Sequence, residues 1–271
     1  MRSRHAFPAP ADVRHYLGAW SAVSVVQFFV AEAAVALAWA GESAYNYAMN
    51  VISDLGAAHC AIHYGRYVCS PLNWLMDGSF VLQGLGLIVA ALLITTAVLR
   101  VAAHGPSVRA HARLAAAVSA AGTARVARDH PAVRRGGIVA LAVRILFGVG
   151  GVGLIVVGLV QEDIVEWIHG GAALAYFASA ALALIVLGAQ WRRRTRAGWV
   201  LIVLGGIAAV ATVALVVTHL QVPYPGALER AIVYPITLGI AIMGSVIASG
   251  ARRTRAEIRR LATPQPSSGA S

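Results

Sequence analysis

The sequence contains no lysine. All 22 basic side chains are arginine, against 11 acids, and charged residues are only 12% of the 271. A soluble domain is about 25% charged, so there is too little polar surface to cover a water-exposed globule. The usual hydrolase and nucleotide signatures are missing too. There is no Gly-x-Ser-x-Gly elbow, Walker loop, His-Glu-x-x-His or Cys-x-x-Cys. The lack of lysine has two readings: guanidinium-specific recognition of phosphate, or the codon bias of a GC-rich genome. The net charge of +11 would suggest nucleic acid in a soluble protein. A membrane protein obeying the positive-inside rule carries the same excess, so no nucleic-acid partner is expected.

What is abundant is apolar: 59% of residues are hydrophobic and mean hydropathy is +0.72. Six runs stand out: Leu17–Ala40, Pro71–Leu99, Gly137–Val160, Trp167–Ala189, Gly198–His219 and Glu229–Gly250. Each has about the 20 residues that cross a hydrocarbon core of about 30 Å. Backbone groups in lipid must pair internally, and nothing alternates as barrel strands do. The expected fold is all-α, a polytopic bundle of six transmembrane helices. Residues 1–16 form a cytoplasmic tail and 17–250 the membrane domain. Within it, 41–70 is an outer loop and 101–135 a cytoplasmic loop. Residues 251–271 read as a basic, partly disordered tail.

Arginines set the orientation. They cluster in the N-terminal tail, in the second connection, at 192–196 and in the C-terminal tail. Six crossings put all four clusters on one face, with 19 of 22 arginines. This predicts both termini inside a cell membrane, with an arginine belt against anionic lipid headgroups. Arg66 and Arg230 fall outside, and Arg144 lies within a span.

Acids and histidines gather at the other face. Ionisable groups at membrane depth tend to face a cavity or a partner. One reading is an outward pocket lined by Glu32, Asp54, Asp77, His169 and Glu229, binding or modifying a lipid or lipid-linked small molecule. Asp54 or Asp77 would then be the acid or base and His169 the proton partner. A second is a transporter with Glu32 and Asp77 as carriers. A third is an envelope scaffold, its acids simply those left over for non-cytoplasmic loops.

Cys60 and Cys69 share the first outer loop. In an oxidising compartment they would form a disulfide; the alternative is two free thiols. His59-Cys60-x-x-His63 has a metal-like spacing, which Asp54 and His169 would complete as ligands, but a disulfide would consume Cys60. Gly148-x-Gly-x-x-Gly153 matches a dinucleotide fingerprint by letters alone. In mid-membrane it reads as small residues for close helix packing.

Three stretches together resemble a known family: Asn50-Val-Ile-Ser-Asp-Leu-Gly56, Val68-Cys-Ser-Pro-Leu-Asn-Trp-Leu-Met-Asp77, and Gly151-Val-Gly-Leu-Ile-Val-Val-Gly158 followed by Glu162-Asp163 and His169. They are similar to the prokaryotic multi-pass membrane family catalogued as domain of unknown function 998. A fainter likeness, through the Ile-Ser-Asp turn, is to the eukaryotic family of autophagy modulators and a GPI-lipid remodelling protein. The resemblance implies six helices and a prokaryotic plasma membrane. It marks Ser53, Asp54, Glu162, Asp163 and His169 as motif positions. The family often has an aromatic and a proline before the acidic pair; here Val160-Gln161 stand there. The resemblance brings no established activity and leaves any cofactor unknown.

Overall fold

The computed structural model describes residues 12–63, 65–95, 99 and 131–262. Residues 101–130 of the loop expected at 101–135 lie outside them. Helices α1 (Val13–Val23) and α2 (Gln27–Leu37) are joined by the 3-10 turn Ser24–Val26 and make the first crossing. The turn follows from two hydroxyls that bond back to the chain, Ser21 to the Leu17 carbonyl (2.9 Å) and Ser24 to the Ser21 carbonyl (2.6 Å); such bonds bend helices. Then come α3 (Asn73–Leu93), α4 (Pro131–Leu159), α5 (Glu166–Trp191), α6 (Arg196–Thr218) and α7 (Pro225–Ala262). Among the described residues six helices are long and apolar enough to cross a membrane. The all-α multi-pass architecture expected from the apolar runs is the one observed.

The helices close a ring: α1 packs on α3, α3 on α4, α4 on α5, α5 on α6, α6 on α7 and α7 back on α1. Small residues let the backbones touch. A Cβ on Gly84 of α3 would stand 2.6 Å from the Gly151 carbonyl oxygen, and one on Gly151 would stand 2.8 Å from that of Gly84. The glycine motif in α4 is therefore packing, although Gly148 itself has nothing within 4 Å. Valines 200, 203, 210, 213 and 217 of α6 are exposed, as expected of a lipid-facing surface. Exposed Trp74, Trp167 and Tyr224 ring one end, and Trp20 and Trp199 the other, where aromatic side chains settle at membrane interfaces.

Two boundaries differ from the apolar runs. The first helix starts at Val13, capped by the Asp12 carboxylate, which accepts from the Arg14 N–H at 2.9 Å. The last helix runs on to Ala262. Its final stretch is rich in Ala and Arg, strong helix formers, and Arg259 and Arg260 suit the negative end of the helix dipole.

The loop at 41–70 holds elements that hydropathy did not announce. Ser53–Gly56 is a 3-10 turn, and β1 (Ala61–His63) pairs antiparallel with β2 (Arg66–Val68), His63 opposite Arg66. Gly65 has φ +75°, as a tight hairpin requires. A Cys60–Cys69 disulfide closes the hairpin. This end of the bundle is called the hairpin end; Arg192–Arg196 and Arg252–Arg260 lie at the other.

Candidate functional site

At the hairpin end Arg230 of α7 is buried and almost fully coordinated. Its guanidinium lies 2.9 Å from Glu32 of α2. It donates to the carbonyls of Tyr47 and Asn50 at 2.7 Å each, to that of Gly226 at 3.1 Å, and to the Tyr45 hydroxyl at 2.5 Å. The Tyr47 and Tyr45 rings stand 4.7 and 5.4 Å from it. The Tyr234 hydroxyl donates to the second Glu32 oxygen at 2.8 Å. Buried charges persist only when paired and hydrogen-bonded in this way. The cluster ties residues 45–50 onto α2 and α7. Burial and the Glu32 and Glu229 charges push the Tyr45 hydroxyl well above its usual pKa, keeping it a donor.

The segment that follows carries Ser53 and Asp54. Asp54 accepts from the Val51 N–H (3.1 Å), the Asn50 amide (3.4 Å) and Arg66 (3.4 Å). Arg66 also donates to the Met49 carbonyl at 2.5 Å. Burial outweighs the Arg66 attraction and, helped by the Glu162 charge, pushes the Asp54 carboxyl up to about 6. The Ile52 N–H donates to the Glu229 carboxylate of α7.

The connection between α4 and α5 is fastened to the same loop. Asp163 accepts from the Ala58 and His59 N–H groups and the His59 ring Nδ1, each at 2.9 Å. Burial works against the charge, but these donors win and hold the carboxyl below its usual value. Asp77 of α3 accepts from the Gln161 amide at 3.0 Å. A Cβ on Gly56 would stand 2.6 Å from the Asp77 Oδ1, so glycine is needed where the 3-10 turn lies on that carboxylate.

Between these layers lies a small cavity lined by Ser53, His169, Glu229, Gln83 and Tyr176 among apolar side chains. The space open to a water-sized sphere's centre is about 20 Å³, room for one water. His169 bonds the Val160 carbonyl through Nδ1 at 2.7 Å. A carbonyl only accepts, so Nδ1 carries a proton, and Nε2 in the neutral ring has the lone pair. Gln83 donates to the Tyr176 and Thr237 hydroxyls at 3.3 and 3.4 Å. One turn farther along, Leu87, Leu184 and Ile240 are fully buried, and the polar lining stops there.

Of the five acids and histidines expected to line one pocket, the cavity takes His169 and Glu229. Glu32, Asp54 and Asp77 are not among its lining residues; each is held by its own partners. Ser53, a motif position, does line it. Among the described residues no three His, Cys, Asp or Glu side chains stand together as a metal site. Cys60 is in the disulfide, His59 is on Asp163, and His63 is on β1.

A larger groove of about 730 Å³ runs beside the cavity, between α5, the end of α6 and the start of α7. Arg66, Glu162, Glu166 and His219 give it a polar rim; Leu174, Leu215, Val216 and Val222 give it an apolar wall. The two spaces are lined by adjacent residues: Val51 and Gly170 line the groove, Ile52 and His169 the cavity. Glu162 and Glu166 also line a polar vestibule of about 340 Å³ with His63 and Asp163.

Residues 114–246 match the family model described as "Protein of unknown function (DUF998)". Over those residues, a little under half of the chain, it is similar to that family. The match takes in Glu162, Asp163, His169, Glu229 and Arg230, while the loop at 41–70 falls before it. No curated protein and no solved structure matches the chain.

Arg230, Arg66, Tyr234, Gln83 and Tyr176 were not singled out as site residues. Arg66 and Arg230 did carry a signal: both break the charge asymmetry, and a cation at the wrong end of a bundle needs a local anion. For Arg144, inside the fourth helix, the partners are the Ala91 and Leu92 carbonyls at 2.6 and 3.3 Å.

Proposed function

We propose that this integral membrane protein lies with both termini in the cytoplasm and takes a lipid or lipid-linked small molecule into the groove from the non-cytoplasmic leaflet. The carrying observation is the groove itself: about 730 Å³ with a charged rim and an apolar wall, a size and lining typical of ligand sites. Leu174 and Val216 are exposed, so the apolar wall opens toward the bilayer. The positive-inside rule supports the orientation, because Arg192–Arg196 and Arg252–Arg260 lie opposite the hairpin. These arginines suit anionic headgroups at the cytoplasmic face of a prokaryotic plasma membrane.

A second reading, modification of the bound lipid, is favoured by His169, whose Nε2 is left as a proton acceptor in a cavity shared with Ser53 and Glu229. Under it His169 moves the proton, while Asp54 and Asp77, fixed by Arg66 and Gln161, position the surrounding loops. Conduction is less favoured, because the polar lining ends at Gln83 above a layer of Leu87, Leu184 and Ile240.

Native mass spectrometry of protein released from a mild detergent tests the binding reading. One phospholipid per chain should persist in the wild type and be lost or strongly reduced in Val216→Trp, whose indole intrudes on the apolar wall. Equal lipid retention by the two proteins would overturn it.

A further inference from the structure

We propose that the groove selects a phospholipid whose headgroup ends in a primary ammonium, with Glu162 and Glu166 as the amine-binding carboxylates. This rests on the groove being the lipid site.

The rim is mixed in sign but not balanced. Arg66 donates to Met49 and to Asp54, so Asp54 matches its charge. The two carboxylates that line the groove, Glu162 and Glu166, share it with Arg66 and His219 as the other titratable lining groups, and Arg66 is the one already paired. The vestibule adds Asp163 and His63 around the same two carboxylates, and Asp163 is already satisfied by Ala58 and His59. The rim therefore favours a cation.

Hydrogen bonding narrows the kind of cation. The Glu162 Oε2 is buried and has no hydrogen-bond partner among the described residues. A buried acceptor left unpaired is costly, more so when charged, which favours a ligand that brings an N–H donor to that oxygen. A primary ammonium supplies three in a compact charge, whereas a quaternary ammonium supplies none. The His63 Nε2, on a residue lining the same vestibule, is likewise buried and without a partner among the described residues. Carboxylate and imidazole thus await polar atoms from one space.

The rest of the groove suits the rest of such a lipid. Arg66 is one-quarter exposed and lies on the rim where a headgroup phosphate would follow the amine. Leu174 is eight residues beyond Glu166 on α5, about 12 Å deeper along the helix, so the wall reaches into acyl-chain depth. The far rim is made by His219 and Leu220 at φ +48° and +60°. Two successive non-glycine residues in this left-handed region cost free energy, and such strain gathers at ligand sites.

The test is native mass spectrometry of the full chain titrated with dioleoyl phosphatidylethanolamine, phosphatidylcholine and phosphatidylglycerol. The wild type should prefer ethanolamine over both others by about tenfold, and Glu162→Gln should bring the three within about twofold. Glu166 is exposed in the first turn of α5, where losing one charge costs little stability, so Glu166→Gln tests the pair even where Glu162→Gln misfolds; it should lose about threefold of the preference. Choline binding as well as ethanolamine in the wild type, or a preference that survives both substitutions, overturns the proposal. Val216→Trp separates this from the underlying reading. Ethanolamine lipid retained by that variant removes the groove as the lipid site, whereas lipid lost there but unselective in the wild type leaves the groove standing and removes only the amine.

Discussion

Arg230 and Glu32 are 198 residues apart in sequence and 2.9 Å apart in the fold. Their pairing joins the last crossing to the first and closes the ring of helices at the hairpin end. Removing one partner strands the other charge in a buried site, at a cost of about 3–5 kcal/mol. Glu32→Leu and Arg230→Met should each lower thermal stability sharply in detergent. The double variant should lose less than the sum of the two, because no lone charge remains. Strict additivity in that cycle would mean the pair is not coupled.

The Cys60–Cys69 bridge closes a short loop that carries Arg66. Constraining so short a loop is worth about 2–3 kcal/mol. Cys60→Ser with Cys69→Ser should leave the helical content intact. It should raise protease sensitivity in 57–70, read by limited proteolysis in native membranes. Unchanged cleavage would show that Asp163 and Arg66 hold the hairpin without the disulfide.

Asp54 and Asp163 give the stability a pH profile with two opposite slopes. The Asp54 carboxyl is raised from 3.8 to about 6, so its contribution is fully present below pH 3.8 and lost as pH rises through about 6. The full displacement corresponds to ~3 kcal/mol. Asp163 is held below 3.8, so its contribution is present above that value and lost as pH falls through its folded pKa. Melting temperature should therefore rise from pH 7 to pH 5 and fall below about pH 4. Asp54→Asn should flatten the first limb and leave the second. A wild-type profile flat between pH 5 and 7 would contradict the burial of Asp54.

The helices were legible because lipid forces every crossing to be long, apolar and internally hydrogen-bonded, and hydropathy reads that constraint directly. The disulfide was one of two open readings, and its position in a hairpin was not legible. Strands of three residues such as Ala61–His63 leave no periodicity to detect. Asp54, Asp77 and His169 were picked as polar groups at one end of the bundle, which is a depth and not a position. Depth cannot separate Asp77, turned onto Gln161, from His169, turned into the cavity. The two outlying arginines held the better clue, since each implied an anion nearby.

Helix packing offers a paired contrast. Gly84→Val drives a branched side chain into the Gly151 carbonyl and should destabilise by about 1–3 kcal/mol. Gly148→Ala enters open space on the same packed helix pair and should be neutral or stabilising by up to about 1 kcal/mol. Thermal denaturation of the two in one detergent checks both, and equal losses would mean the close approach of α3 and α4 is not what holds them.

The groove between α5, α6 and α7 is the proposed place of lipid entry. Photocrosslinking in native membranes with a phospholipid bearing a diazirine in its acyl chain, mapped by peptide mass spectrometry, tests it directly. Crosslinks should concentrate at Leu174, Leu215 and Val216, and excess unlabelled ethanolamine phospholipid should compete them away. Crosslinks spread evenly over exposed positions of α6 such as Val203, Val210 and Val217, and insensitive to competitor, would contradict it.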